Sequence, residues 1–212
     1  MANQLSSAAS LKLWFGWVIA NTIGGAIGAW LGESFSNLGN LDPNSLLRFF
    51  LLGLGISVPI SLCQGIFLAG KIPKILKWIV ASSVVSTLCI GFSPFLITLL
   101  LFATSEQGED LYFGVFGLMS GLSIGVAQWL LVLKKIPGSS RWVLFSSLGS
   151  AIGLGIGTAM ANSQGRWFFA WYTDHSLSKL LLMGTVARLL YGMITGIVLV
   201  QILQKNHIQS DF

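Results

Sequence analysis

Six long apolar runs, at 13–32, 49–70, 78–102, 111–133, 142–161 and 180–203, are separated by short polar segments. Each is about 20 residues or longer, the length a helix needs to cross ~30 Å of hydrocarbon at ~1.5 Å per residue. The runs do not alternate apolar and polar residues, as strands of a membrane barrel would. The pattern predicts an all-α integral membrane bundle of six transmembrane helices.

The polar segments repeat. Residues 70–78 read GKIPKILKW and residues 134–142 read KKIPGSSRW. Gln64 aligns with Gln128, Lys71-Ile72-Pro73 with Lys135-Ile136-Pro137, Trp78 with Trp142, and Ser82-Ser83 with Ser146-Ser147, all at one offset of 64 positions. Trp17 matches Trp78 at an offset of 61, with Asn21-Thr22 in place of the serine pair. The unit is a helix opened by tryptophan, an outer loop, and a helix carrying glutamine. It occurs three times, over 13–70, 71–135 and 136–205, within one membrane domain spanning 1–212. Two spans per unit give every unit the same orientation, so the expected architecture is three parallel two-helix repeats about an approximate three-fold axis along the membrane normal. The Lys-Ile-Pro turns join the units: proline ends a helix, and lysine and tryptophan anchor the chain at the interface.

Small residues recur every fourth position: Gly24, Gly28 and Gly32; Gly53, Ser57 and Ser61; Gly117, Gly121 and Gly125; Gly149, Gly153 and Gly157. Such stripes let helix backbones approach closely. The third run carries the weakest copy, Val85, Cys89 and Ser93, followed by Pro94, where a kink is expected. The sixth reads Gly184, Arg188, Gly192, Gly196, with an arginine on the stripe. A charge at mid-membrane costs ~2.5–3.5 kcal/mol on insertion scales, so it faces protein or a water-filled cavity and marks a functional site, unless it snorkels to the interface. No acidic residue lies inside any run, so an intramembrane carboxylate partner is not expected. Gln64 and Gln128 are expected to make interhelical hydrogen bonds. With Arg188 they are the candidate ligand-binding residues. Trp167, Phe168, Phe169, Trp171 and Tyr172, in the loop 162–179, are the candidate partner-docking surface, or lie flat at the interface.

Charge adds an orientation. Only 9% of the residues are charged, against about 25% in soluble proteins. With the N-terminus cytoplasmic, that face carries Lys12, Lys71, Lys74, Lys77, Lys134, Lys135, Arg141 and Lys205, and the opposite loops carry Arg48, Arg166 and Lys179. Both termini are therefore expected to be cytoplasmic, and the net charge of +5 is sorted by side and indicates no nucleic-acid partner. The first run could be read as a signal peptide, but WVIANTIGGAIGAWLG (17–32) matches WVLFSSLGSAIGLGIG (142–157), which makes it part of the fold. Cys63 and Cys89 lie inside runs, so no disulfide framework is expected.

The segment GLSIGVAQWLLVLKK (121–135), followed by a proline turn and a glycine helix opened by tryptophan, resembles uncharacterised multi-pass membrane proteins of cyanobacterial type. Those proteins repeat a Gly-x-x-x-Gly-x-x-Gln-Trp-(Leu/Val)-Val-Leu-(Arg/Lys) segment. Here it fits in full once; Gln64-Gly65 is an approximate copy, and Gln201 in the sixth run is out of register. The resemblance implies a photosynthetic bacterium's inner or thylakoid membrane and brings no activity. No nucleophile–base set, phosphate loop, zinc spacing or paired carboxylates can be assembled, so neither catalytic residue, metal nor cofactor is expected. The expected function is non-enzymatic: an accessory, scaffold or assembly subunit contacting membrane lipids and other membrane-protein subunits. The alternative is a small transporter or a lipid- or anion-binding protein centred on Arg188. A cavity lined by Arg188 and polar groups would mark the second; a closed interior would mark the first.

Overall fold

The computed structural model describes residues 7–38, 41–42, 45–72, 74–96, 99, 109–162 and 177–210, with backbone only at 109–111 and 205–210. These form helices α1 (Ser7–Ser36), α2 (Leu46–Leu68), α3 (Ile75–Gly91), α4 (Glu109–Gln128), α5 (Arg141–Asn162) and α6 (Leu177–Ser210). Among the described residues there is no strand. Five of the helices, all but α3, are long and apolar enough to cross a membrane. α3 is apolar but shorter, at 17 residues.

The third run was expected to continue to 102. α3 is interrupted at Phe92, whose N–H reaches Leu88 O, and helical residues resume at 93–96 and at 99, a break where Pro94 was expected to kink the run; 97–98 and 100–102 lie outside the described residues. Pro94 has no N–H and disfavours helical geometry in the residue before it, so the regular ladder cannot pass through this point unbroken. The break falls two residues before the proline.

Each helix packs on the next in sequence, and α6 packs back on α1, closing a ring. The faces are sorted inversely to those of a water-soluble protein. α1 turns Leu11, Phe15, Ile19, Ile23 and Ile27 outward, each at least 41% exposed, and buries Trp17, Asn21, Gly24, Gly25, Gly28 and Gly32. Large apolar side chains outside and small or polar ones inside suit a hydrocarbon solvent. Lipid tails are as apolar as leucine, so helix association there comes from close packing and interhelical hydrogen bonds.

Five of the six seams close over missing side chains. A Cβ on Gly28 would stand 2.6 Å from Ile56 O across α1–α2, and one on Gly53 would stand 3.0 Å from Thr87 O across α2–α3. Gly121 meets Ser146 O across α4–α5, Gly153 meets Ala187 O across α5–α6, and Gly25 meets Gly184 O across α6–α1. No described glycine closes the α3–α4 seam, and Gly114 of α4 has open space beside it.

The two Lys-Ile-Pro connections lie at the end of the bundle where α1 begins and α6 finishes. Ile72 and Ile136 are both buried there, against the cluster formed by Trp17, Trp78 and Trp142. Lys74 and Gly138, which the 64-residue offset aligns, both take positive φ, 59° and 75°. The left-handed turn before the tryptophan helix is thus a shared feature, with lysine accepting it at one junction.

Candidate functional site

The floor of the site is a polar layer one turn beyond three tryptophans. Trp17, Trp78 and Trp142 are fully buried. They meet edge-to-face or tilted, with ring centroids 5.4–6.3 Å apart, a favourable arrangement for aromatic quadrupoles. Each indole N–H points to the neighbouring helix. Trp78 Nε1 donates to Gln64 Oε1 at 3.1 Å and Trp142 Nε1 to Gln128 Oε1 at 2.7 Å. The glutamine amides then donate across the next seam, Gln64 Nε2 to Asn21 Oδ1 at 2.8 Å and Gln128 Nε2 to Ser82 Oγ at 2.7 Å. Asn21 and Ser82 stand four residues after Trp17 and Trp78 and donate to their carbonyls.

The third member of this layer is not a glutamine. Trp17 Nε1 donates to Thr195 Oγ1 at 2.9 Å, and Thr195 donates to Tyr191 O at 2.7 Å. The Tyr191 hydroxyl lies 3.5 Å from Ser146 Oγ. Gln201, out of register in sequence, is exposed. The signal for Thr195 was available: it follows Gly184, Arg188 and Gly192 at the spacing by which Gln128 follows Gly117, Gly121 and Gly125. Thr195 and Tyr191 belong to this layer and were not among the residues expected from the sequence.

Beyond the polar layer, away from the tryptophans, the ring encloses a cavity of ≈ 100 Å³ to which all six helices contribute. Its lining is stratified. One and two turns from the layer lie the side chains of Ser86, Ser120, Ser150, Tyr191 and Arg188; further out come chiefly Leu52, Phe113, Phe116, Leu180 and Met183. Arg188 enters this space because Gly25 stands opposite, where a Cβ would be 2.7 Å from the arginine Cβ. By repeat position Arg188 corresponds to Ser57 and Gly121. It therefore puts a cation where the other two units have small residues.

The Arg188 guanidinium has no hydrogen-bond partner among the described residues, and its Cζ lies 5.4 Å from the Tyr191 ring centroid. That ring contact is worth ~0.5–2 kcal/mol, depending on desolvation, and leaves five N–H donors unused. Arg188 is eleven residues into α6 from Leu177, ~16 Å by helical rise. Among the described residues it is the only Asp, Glu, Lys or Arg lining the cavity.

No family model, curated protein or solved structure matches the chain. The structure brings Arg188 to a cavity, whereas Gln64 and Gln128 are buried with both amide ends engaged by protein. Trp167, Phe168, Phe169, Trp171 and Tyr172 lie outside the described residues.

Gln128→Leu strands the buried Trp142 indole N–H. An orphaned buried donor costs ~1–3 kcal/mol, so the unfolding midpoint in detergent should fall clearly. Gln201→Leu, at an exposed position, should leave it unchanged. Equal midpoints for the two variants would show that the layer does not hold the bundle together.

Proposed function

We propose that this chain is a non-enzymatic, multi-pass membrane protein that binds an anionic ligand at Arg188, inside the bundle. The observation that carries the reading is an arginine whose guanidinium lacks a hydrogen-bond partner among the described residues, in a cavity of mixed serine and apolar lining. An isolated cation there is costly, and an anion would supply the missing bonds; Arg–carboxylate and Arg–phosphate contacts are among the strongest hydrogen bonds available. An accessory or assembly subunit would need no such space, and the aromatic loop on which that reading leaned is not among the described residues. The polar layer and tryptophans fill the centre of the bundle at one end, which favours binding over an open aqueous channel.

In this reading six spans form three parallel units, with α3 as the shortest crossing. Supporting it are the ring of contacts and the Trp–Gln bond repeated at an identical separation of 14 residues. The tryptophan end, with its basic connections and both chain ends, faces the cytoplasm by the positive-inside rule. The membrane is a bacterial inner or thylakoid membrane.

Topology is tested by cysteine labelling in a variant freed of Cys63 and Cys89. Ser140→Cys should react from the cytoplasmic side and Leu38→Cys from the other. Reaction of both from one side would refute the arrangement.

Anion binding is tested by native mass spectrometry of protein released from membranes. Wild type should carry an acidic adduct that Arg188→Leu lacks, while both keep the same near-ultraviolet circular dichroism from the tryptophan cluster. Folding should survive, because apolar replacement of a buried charge is commonly tolerated. Identical adducts on both proteins would contradict the proposal.

A further inference from the structure

The shape of the cavity and the state of its walls bear on which anion it takes. Three observations converge. First, the lining is chiefly apolar and uneven along the bundle axis: Arg188, Ser86, Ser120, Ser150 and Tyr191 lie toward the polar layer beside Ile60 and Ile124, and leucine, phenylalanine and methionine predominate further out, with Ser93 and Tyr112 among them. Second, among the described residues that line the cavity, Arg188 is the one charged side chain. A dianion such as inorganic phosphate would leave water for a single compensating charge, at a cost one guanidinium does not offset. A monoanionic carboxylate matches the planar guanidinium fork in both charge and geometry.

Third, the ring has one loose seam, and the cavity lies behind it. α3 and α4 are joined near the tryptophan end by the Gln128–Ser82 bond, 2.7 Å long. Beyond that bond the Cys89 and Ser123 side chains also meet across the seam, but no described glycine draws the two backbones together, in contrast to the other five seams. Cys89 of α3 and Phe116 of α4 border the seam and line the cavity. The looseness follows from the sequence: α3 has Val85, Cys89 and Ser93 where its neighbours have glycine stripes, and a side chain at each position keeps α4 at a distance.

Resting on the anion reading above, we infer that the occupant is a long-chain carboxylate whose headgroup pairs with Arg188 and whose hydrocarbon chain lies along the apolar upper wall, admitted from the bilayer between α3 and α4. A chain already dissolved in lipid loses little on moving into an apolar cleft. The selectivity then resides at the headgroup, where Arg188 gains bonds that it lacks among the described residues.

The test uses the full chain in phosphatidylcholine nanodiscs, with cis-parinarate as probe and tryptophan-sensitised emission as readout, measured against empty nanodiscs. Binding should saturate and be displaced by dodecanoate, with no displacement by dodecyltrimethylammonium or acetate. Arg188→Leu should weaken parinarate binding at least about tenfold, because removing one partner of a desolvated charge pair is costly. Cys89→Phe, which retains Arg188 but fills the seam, should slow probe uptake at least about tenfold, the diffusive path being blocked.

Equal displacement by the cationic and anionic amphiphiles, or unchanged binding in Arg188→Leu, would overturn both the carboxylate assignment and the anion site. Displacement by acetate or inorganic phosphate as effective as by dodecanoate would overturn the long-chain assignment and leave the anion site standing. Displacement by phosphatidylglycerol in place of dodecanoate would assign the charge to a lipid phosphate and overturn the carboxylate. Wild-type uptake in Cys89→Phe would overturn access through the seam.

Discussion

A buried indole N–H in a lipid-facing bundle has no water to turn to, and the rest of this structure is arranged around satisfying three of them. Trp17, Trp78 and Trp142 meet at the axis, so each nitrogen is committed to a neighbouring helix. Because the acceptors are glutamine or threonine side chains from the neighbouring helix, the layer ties α1 to α6, α3 to α2 and α5 to α4. The same glutamines then reach a residue one turn beyond the next tryptophan. In hydrocarbon such bonds resist exchange, since an unpaired polar group costs several kcal/mol there. The layer fixes helix order and depth, and the aromatic rings plug the axis.

Packing above the layer then depends on what each seam can do without side chains. Glycines bring five pairs of helices within backbone contact. The ring does not close equally on the sixth, and the volume left over collects near the axis and toward α3. Arg188 occupies a stripe position that is Ser57 in α2 and Gly121 in α4.

Much of this was legible in the residues. Length and hydropathy set the helical class, and the shared offset of Gln64, Trp78, Gln128 and Trp142 marked the residues that meet. Arg188 was conspicuous because charges are rare in such runs. Other features were hidden for identifiable reasons. Thr195 does a glutamine's work with a shorter side chain, so a search for amides stopped at Gln201, two turns off. The cavity borders the seam where α3 and α4 pack less closely than the other pairs, and sparse packing leaves only a faint mark in a sequence: a stripe written with valine and cysteine. The aromatic loop was prominent in sequence, yet it lies outside the described residues.

The claim that the bundle carries an anionic amphiphile against Arg188 is tested most directly by an experimental map of the protein in lipid nanodiscs made from its native membrane. The expected result is elongated density in the cavity, with its head within hydrogen-bonding distance of the Arg188 guanidinium and its tail extending along the α3–α4 seam. A closed seam with Arg188 bonded to carbonyls or to ordered water alone would contradict it.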